Sequence, residues 1–379
     1  MSYKKIVWLY FLSGFTSLLF FSSYIFVLDP LKIFHKPYFF KDYLQPNMRD
    51  QALGIIRNYD FDGIIMGASL LMNTSSKEAA EKLEGDKFFN LSMAGSDLFE
   101  RSLVLGYALK HKKIATVVYA LNDSNLYKVS KGNKSFNPWL YDDNSYVRFA
   151  KIYFNQKYLS CIFTFSCMGR KVDLDRPKAW HKSEEISELF GGFDKWLAKK
   201  NNNLVKSDLS LILQSARNIK EGKSKEINEF ELLKEYEDLK KYLNETIIKN
   251  VANHKDTDFI LTATPHSRIN YAILAQDSKK DFALHNMSLN YLVSMSEQYP
   301  NMKIYAWGNE SFLDDIANYS DLGHFDPEYN SYMLDQIQKE NGLLTTANVD
   351  DYLKTFTQKA MEYDLVALED TIESYLNKN

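Results

Sequence analysis

A chain of 379 residues that is 45% hydrophobic and 25% charged has the composition of an ordinary folded protein, with length for one large core or two modest ones. That excludes a disordered chain. A formal net charge of -3 shows no basic excess, so nucleic acid is set aside as a partner.

After a short tail, residues 1–5 ("MSYKK"), residues 6–28 ("IVWLYFLSGFTSLLFFSSYIFVL") carry no charge. At ~1.5 Å per residue this run is long enough, as a helix, to cross a ~30 Å hydrocarbon layer, and it reads as an uncleaved signal anchor. A cleaved signal peptide is the competing reading, but its apolar core usually runs only ~7–15 residues and ends in a small-residue cleavage site, not found here. Lys4 and Lys5 precede the run and Asp29 follows it. The positive-inside rule then puts the N-terminus in the cytoplasm and the bulk of the chain outside the cytoplasmic membrane, in the periplasm or at the cell surface.

Residues 29–57 read as a juxtamembrane segment running into a helix that ends near Asn58. From residue 58 short apolar runs alternate with amphipathic stretches: "FDGIIMGAS" as strand, "SSKEAAEKLE" as helix, "KFFNLSM" as strand, "DLFERSLVLGYALKHK" as helix, "IATVVYALN" as strand. Such alternation predicts an α/β domain with a parallel sheet covered on both faces. Residues 128–256 lack convincing strands and read as a helical insertion. Within it Ile227, Phe230, Leu233, Leu239, Tyr242, Leu243 and Ile247 recur near helical spacing and predict one long amphipathic helix. The insertion also holds "CIFTFSC". Six residues of helix separate Cys161 and Cys167 by ~9 Å and six of strand by ~20 Å, so a bridge would require a loop, and two buried thiols are expected. The alternation resumes with "DFILTATP" (strand), "FALHNMSLNYLVSMSEQYP" (helix) and "MKIYAWG" (strand), and the α/β domain is expected to close near residue 335, with helical segments over 336–379.

Four polar signals stand after these strands, where open parallel sheets carry their ligands. The first strand ends in Gly67, Ala68 and Ser69, the second leads to Gly95, the third to Asn122, and the last to Asp321 and His324. Taken alone, Ser69 is a helix cap and Asn122 a turn former. Together they suit acyl-transfer chemistry: a serine becomes nucleophilic when an imidazole takes its proton, and the imidazole needs a carboxylate on its other nitrogen. An oxyanion would need the amides of Ser69 and Gly95 and the side-chain amide of Asn122.

In these blocks the chain resembles the SGNH (GDSL-like) hydrolase superfamily, and within it the membrane-anchored branch that serves cell-envelope polymers, such as the teichoic acid D-alanine transfer protein and alginate and peptidoglycan acetylation proteins. The resemblance spans about residues 58–335. It implies a three-layer α/β/α sandwich with a parallel sheet of about five strands, Ser69 as nucleophile, His324 as base, Asp321 as its orienting acid, and Gly95 and Asn122 as the oxyanion hole. "GASL" departs from Gly-Asp-Ser-Leu, and Ala120 stands where the third block usually has glycine, which makes Asp123 an alternative to Asn122 as the important member of that block. The α/β-hydrolase elbow G-x-S-x-G is disfavoured because "GASLL" lacks its second glycine.

His266 and Arg268, after another strand, are candidates to line the pocket and meet a polar or anionic substrate. The remaining histidines show no metal-ligand spacing, and neither a metal nor another cofactor is expected. The expected function is a membrane-tethered serine esterase or O-acyltransferase acting on acyl groups of a cell-surface glycan, with a polytopic membrane acyltransferase as a candidate partner that presents the acyl donor. The alternative is an inactive binding or assembly protein of an envelope-polymer machine that keeps the fold.

Overall fold

The structure is a computed structural model that describes residues 2–39, 42–44, 48–143, 147–166, 188–199 and 203–377. In chain order its helices are α1 (Tyr3–Leu28), α2 (Met48–Asn58), α3 (Ser76–Lys82), α4 (Leu98–His111), α5 (Val147–Tyr153), α6 (Gln156–Thr164), α7 (Phe193–Ala198), α8 (Asn203–Lys220), α9 (Glu229–Leu243), α10 (Lys249–Asn253), α11 (Arg268–Gln276), α12 (Lys279–Ser296), α13 (Glu328–Gln338), α14 (Val349–Glu362) and α15 (Leu365–Asn377). Its strands are β1 (Gly63–Met66), β2 (Phe88–Asn90), β3 (Thr116–Leu121), β4 (Asp258–Ala263), β5 (Met302–Ala306) and β6 (Leu343–Leu344). Two compact units form, one from residues 1–60 and 135–174, the other from 61–134 and 175–379. The stretch expected as one helical insertion is divided between them.

In the first unit α1 is long and apolar enough to cross a membrane. It ends where Asp29 takes a left-handed conformation (φ 33°) and the Asp29 carboxylate accepts the amides of Ile33, Phe34 and His35 at 3.0, 2.7 and 3.0 Å. The Tyr153 hydroxyl donates to the same carboxylate and accepts from Leu31 N at 3.2 Å, which ties the exit of α1 to α5. Cys161, in α6, is disulfide-bonded, and Cys167, the other cysteine of the chain, lies outside the described residues. The expectation of two thiols is therefore corrected. α6 ends at Phe165, which has a φ of 56°.

The second unit is an α/β body around a mixed six-stranded sheet of order β2-β1-β3-β4-β5-β6. Neighbours from β2 through β5 pair in parallel, and β6 pairs antiparallel with β5 through Ile304–Leu344 and Tyr305–Leu343. This differs from the expected parallel sheet of about five strands. The two residues of β6 lie in the C-terminal stretch expected to be helical, and two residues are too short for any periodicity to register.

Both faces of the sheet are buried. Ile65, Val118, Ile260 and Tyr305 join a core with residues of α8, α11, α13 and α15, while Ile64, Val117, Leu261 and Ile304, at alternate positions along the same strands, are equally buried on the other side. The predicted helix over 227–247 forms as α9 and continues through a π-helical turn, Asn244–Ile248, into α10. Its stripe is only half covered, with Leu239, Tyr242, Leu243 and Ile247 buried and Phe230 and Leu233 exposed. The strand order reverses its progression between β1 and β3, which places a crevice outside their carboxyl ends.

Candidate active site

Ser69 stands at that crevice because β1 ends abruptly. Gly67 leaves no room for a side chain: a Cβ there would lie 2.9 Å from Leu71 Cβ and 3.0 Å from Ala120 Cβ. Its carbonyl accepts the Met93 amide at 2.9 Å and the Ser96 hydroxyl at 3.2 Å, which draws the segment after β2 alongside. Ser69 opens a 3₁₀ turn, Ser69–Asn73, whose cap is Ala68, so the hydroxyl is not consumed in capping. It meets His324 Nε2 at 2.7 Å, across 255 residues of sequence.

His324 closes a tight loop. Tyr319 bridges Phe325, Ser320 N donates to His324 O at 2.9 Å, and inside the loop Asp321 Oδ1 accepts the amides of Gly323 and His324 at 2.9 and 2.7 Å. Asp321 Oδ2 meets His324 Nδ1 at 2.6 Å. Burial pushes the Asp321 carboxyl up, but the imidazole beside it and the amides it accepts outweigh burial and hold it below the usual carboxylate range. For His324 burial disfavours the charged ring, yet the Asp321 carboxylate, with Asp208 in support, leaves its pKa above the ordinary value. Serine, imidazole and carboxylate thus form one relay, ordered as a nucleophile, its base and the group that orients the base.

Gly95 occupies a turn closed by Ser96 N to Met93 O at 3.0 Å, with φ +60°, a conformation that favours glycine. A Cβ there would meet nothing within 4 Å, so the backbone conformation, not crowding, calls for glycine. Asn122 leaves β3, donates its amide to Asn125 Oδ1 at 3.1 Å and accepts the Asn125 amide at 2.8 Å. Ser69, Gly95 and Asn122 line one cavity of about 470 Å³. Asp123 begins the following 3₁₀ turn, but its side chain lies outside the described residues.

Polar side chains are frequent in the rest of the cavity wall, with Asp97, Glu100, Ser124, Lys128, Ser130 and Asn133 among its members, and none of the described residues lining it is aromatic. Two carboxylates at the start of α4 build that wall. Asp97 Oδ2 accepts Gly132 N at 2.8 Å and the Ser130 hydroxyl, and Glu100 Oε1 accepts Asn133 N at 2.6 Å.

The other two expected pocket residues do not line this cavity. Arg268 is buried and donates to Asp314 Oδ1 at 2.7 Å, Gly308 O at 2.7 Å and Glu310 O at 3.2 Å, so the expectation that it contacts substrate is corrected: its guanidinium staples loop backbone. His266 packs on the Asp321–His324 loop, its Cδ2 2.7 Å from where a Cβ on Gly323 would lie.

Two residues at the site escaped sequence reasoning. Asp208, on α8, accepts the Leu322 amide at 2.7 Å, and burial together with the nearby Asp321 charge pushes its carboxyl up to about 6, against the opposing pull of that amide and of His324. Arg101, fully buried, donates to Asp97 O at 3.1 Å, to Ala120 O at 2.6 Å and to Asn125 Oδ1, and so joins α4, β3 and the turn that holds Asn122. One signal could have found both. Asp208 follows Val205 by three residues and precedes Ile212 by four, and Arg101 stands likewise between Leu98 and Leu105, so each charge falls on an apolar helical stripe.

No protein-family model matches the chain. No curated protein matches it either. Among the described residues no group of three or more His, Cys, Asp or Glu side chains is placed to hold a metal ion.

Proposed function

We propose that this chain is a membrane-anchored, extracytoplasmic serine esterase or O-acyltransferase that acts on ester-linked acyl groups of a cell-surface glycan, built on an SGNH-like α/β/α sandwich. The observation that carries the reading is the relay from Ser69 Oγ to His324 Nε2 at 2.7 Å and from His324 Nδ1 to Asp321 Oδ2 at 2.6 Å. As Ser69 Oγ bonds to the ester carbonyl carbon, its proton passes to His324 Nε2, and Asp321 steadies the imidazolium. The oxyanion faces the amides of Ser69 and Gly95 and the Asn122 carboxamide. Collapse breaks the ester C–O bond, and the imidazolium returns its proton to the departing alkoxide. Water or a sugar hydroxyl then attacks the acyl-enzyme by the same route in reverse.

The hydroxyl, amide and charged side chains lining the cavity support a hydroxyl-rich substrate. The disulfide at Cys161 supports an oxidising compartment, in line with a cytoplasmic N-terminus and an exported body. A tether suits an enzyme that receives its acyl group from a polytopic membrane acyltransferase. The test is labelling of the full-length chain with a fluorophosphonate. Stoichiometric labelling that disappears in both Ser69→Ala and His324→Ala is expected; absence of labelling in the unaltered chain would refute an activated serine and leave a tethered binding protein.

A further inference from the structure

The span does not leave the first unit alone. α1 has 26 residues, about 39 Å at ~1.5 Å per residue, whereas a hydrocarbon layer is only ~30 Å thick. Counted from Ile6, the first residue after the lysines, ~20 residues reach Ile25, so Phe21 and Tyr24 fall in the last turns at the outer edge of that layer. Both touch α6, and Phe21 also touches Phe154, the residue after α5. The Phe21 ring stacks on Phe163 at 5.9 Å and lies 6.0 Å from Phe154, the Tyr24 ring is 6.3 Å from Phe163, and the Tyr24 hydroxyl donates to Ile162 O at 3.4 Å. Whatever depth the end of α1 reaches, α6 reaches with it.

The outward side of that segment mixes aromatic rings with the exposed polar residues Gln156, Lys157, Ser160 and Thr164. Phe154, Phe163 and Phe165 are 53%, 60% and 46% exposed, whereas Tyr158, Cys161 and Ile162 are buried toward the unit. A cavity of about 540 Å³ opens on the same side, walled chiefly by Ile25, Phe26, Phe34, Phe149, Tyr153 and Phe154. Asp29, held by three backbone amides and Tyr153, fixes the angle between the span and α5. The rings of Phe154 and Phe163 are therefore continuous with the exposed apolar surface of α1.

We propose that α5 and α6 form a foot that lies in the outer interface of the bilayer, with Phe154, Phe163 and Phe165 inserted among lipid acyl chains beside the end of the span. Aromatic side chains suit that depth. The foot makes the membrane contact of the first unit a surface instead of a single rod. This inference rests on the reading of α1 as an anchor.

The test reconstitutes the full-length chain in nanodiscs of phosphatidylcholine and phosphatidylglycerol, doped with a phosphatidylcholine that carries a photoactivatable diazirine on its acyl chain, and maps adducts by mass spectrometry. Adducts on residues 6–28 and on 154–165 are expected. In the double variant Phe154→Ser, Phe163→Ser the second set should fall by roughly tenfold or more, while the first persists and fluorophosphonate labelling of Ser69 is unchanged. Adducts confined to 6–28 would overturn the foot and leave a protein partner to cover these rings; adducts on neither would overturn the anchor as well.

Discussion

Asp208 offers the sharpest test of the electrostatics behind the triad. Its carboxyl has a folded value of about 6 against an ordinary 3.8, so between those limits the native state holds the proton more tightly than the unfolded chain. Stability attributable to that proton is complete below pH ~3.8 and is lost as pH rises through ~6. At about 1.36 kcal/mol per pH unit the gap corresponds to about 3 kcal/mol, or roughly 1–3 kcal/mol once the water reaching a partly exposed carboxyl is allowed for. In an Asp208→Asn variant the new carboxamide does not titrate, and its oxygen still accepts the Leu322 amide. The variant should therefore match the wild type near pH 4 and exceed it by roughly 1–3 kcal/mol at pH 8, read from urea unfolding at both values. The same change removes a negative charge that supports the His324 imidazolium, so the acid limb of kcat/KM on an aryl ester should move to lower pH. A variant less stable than the wild type at pH 8, or a gain equal at both pH values with an unmoved acid limb, would refute the reasoning.

Asp321→Asn presents an amide to His324 Nδ1 and fixes the wrong tautomer, so aryl-ester turnover should fall by about 10⁴, as in the serine-protease relay, with fold and circular dichroism retained. A loss under tenfold would argue against the relay. Asn122→Ala should lower kcat by about 10²–10³ if its carboxamide faces the oxyanion, and steady-state kinetics that show only a raised KM would move it to a binding role. Gly67→Ala forces a Cβ against Leu71 and Ala120 and should cost about 1–3 kcal/mol in urea unfolding, whereas a neutral result would mean that the β1 exit yields more easily than its packing indicates. Wild-type activity should decline as pH falls through the raised value of His324, because a protonated imidazole cannot accept the Ser69 proton; a pH–rate profile flat across the acid range would exclude it as the base.

The long apolar helix α1, the first five strands and the positions of Ser69, Gly95, Asn122, Asp321 and His324 after strand ends were legible in the chain because each depends on local pattern. Uncharged length marks the apolar helix, apolar runs bounded by polar turns mark strands, and polar residues just past strand ends mark where a parallel sheet presents side chains. Other features depend on contacts between distant segments. The sequence does not show that α8 delivers Asp208 to the loop carrying His324, that Arg101 ties α4 to the turn of Asn122, or that Arg268 turns inward to hold backbone carbonyls. Helical spacing tells which face a residue occupies, but not which remote element that face meets. The strand β6 was hidden because two residues are too short to have a period. Local pattern marked Ser69 and His324 as candidates, and only the folded chain, by closing 255 residues to a 2.7 Å contact, decided that they meet.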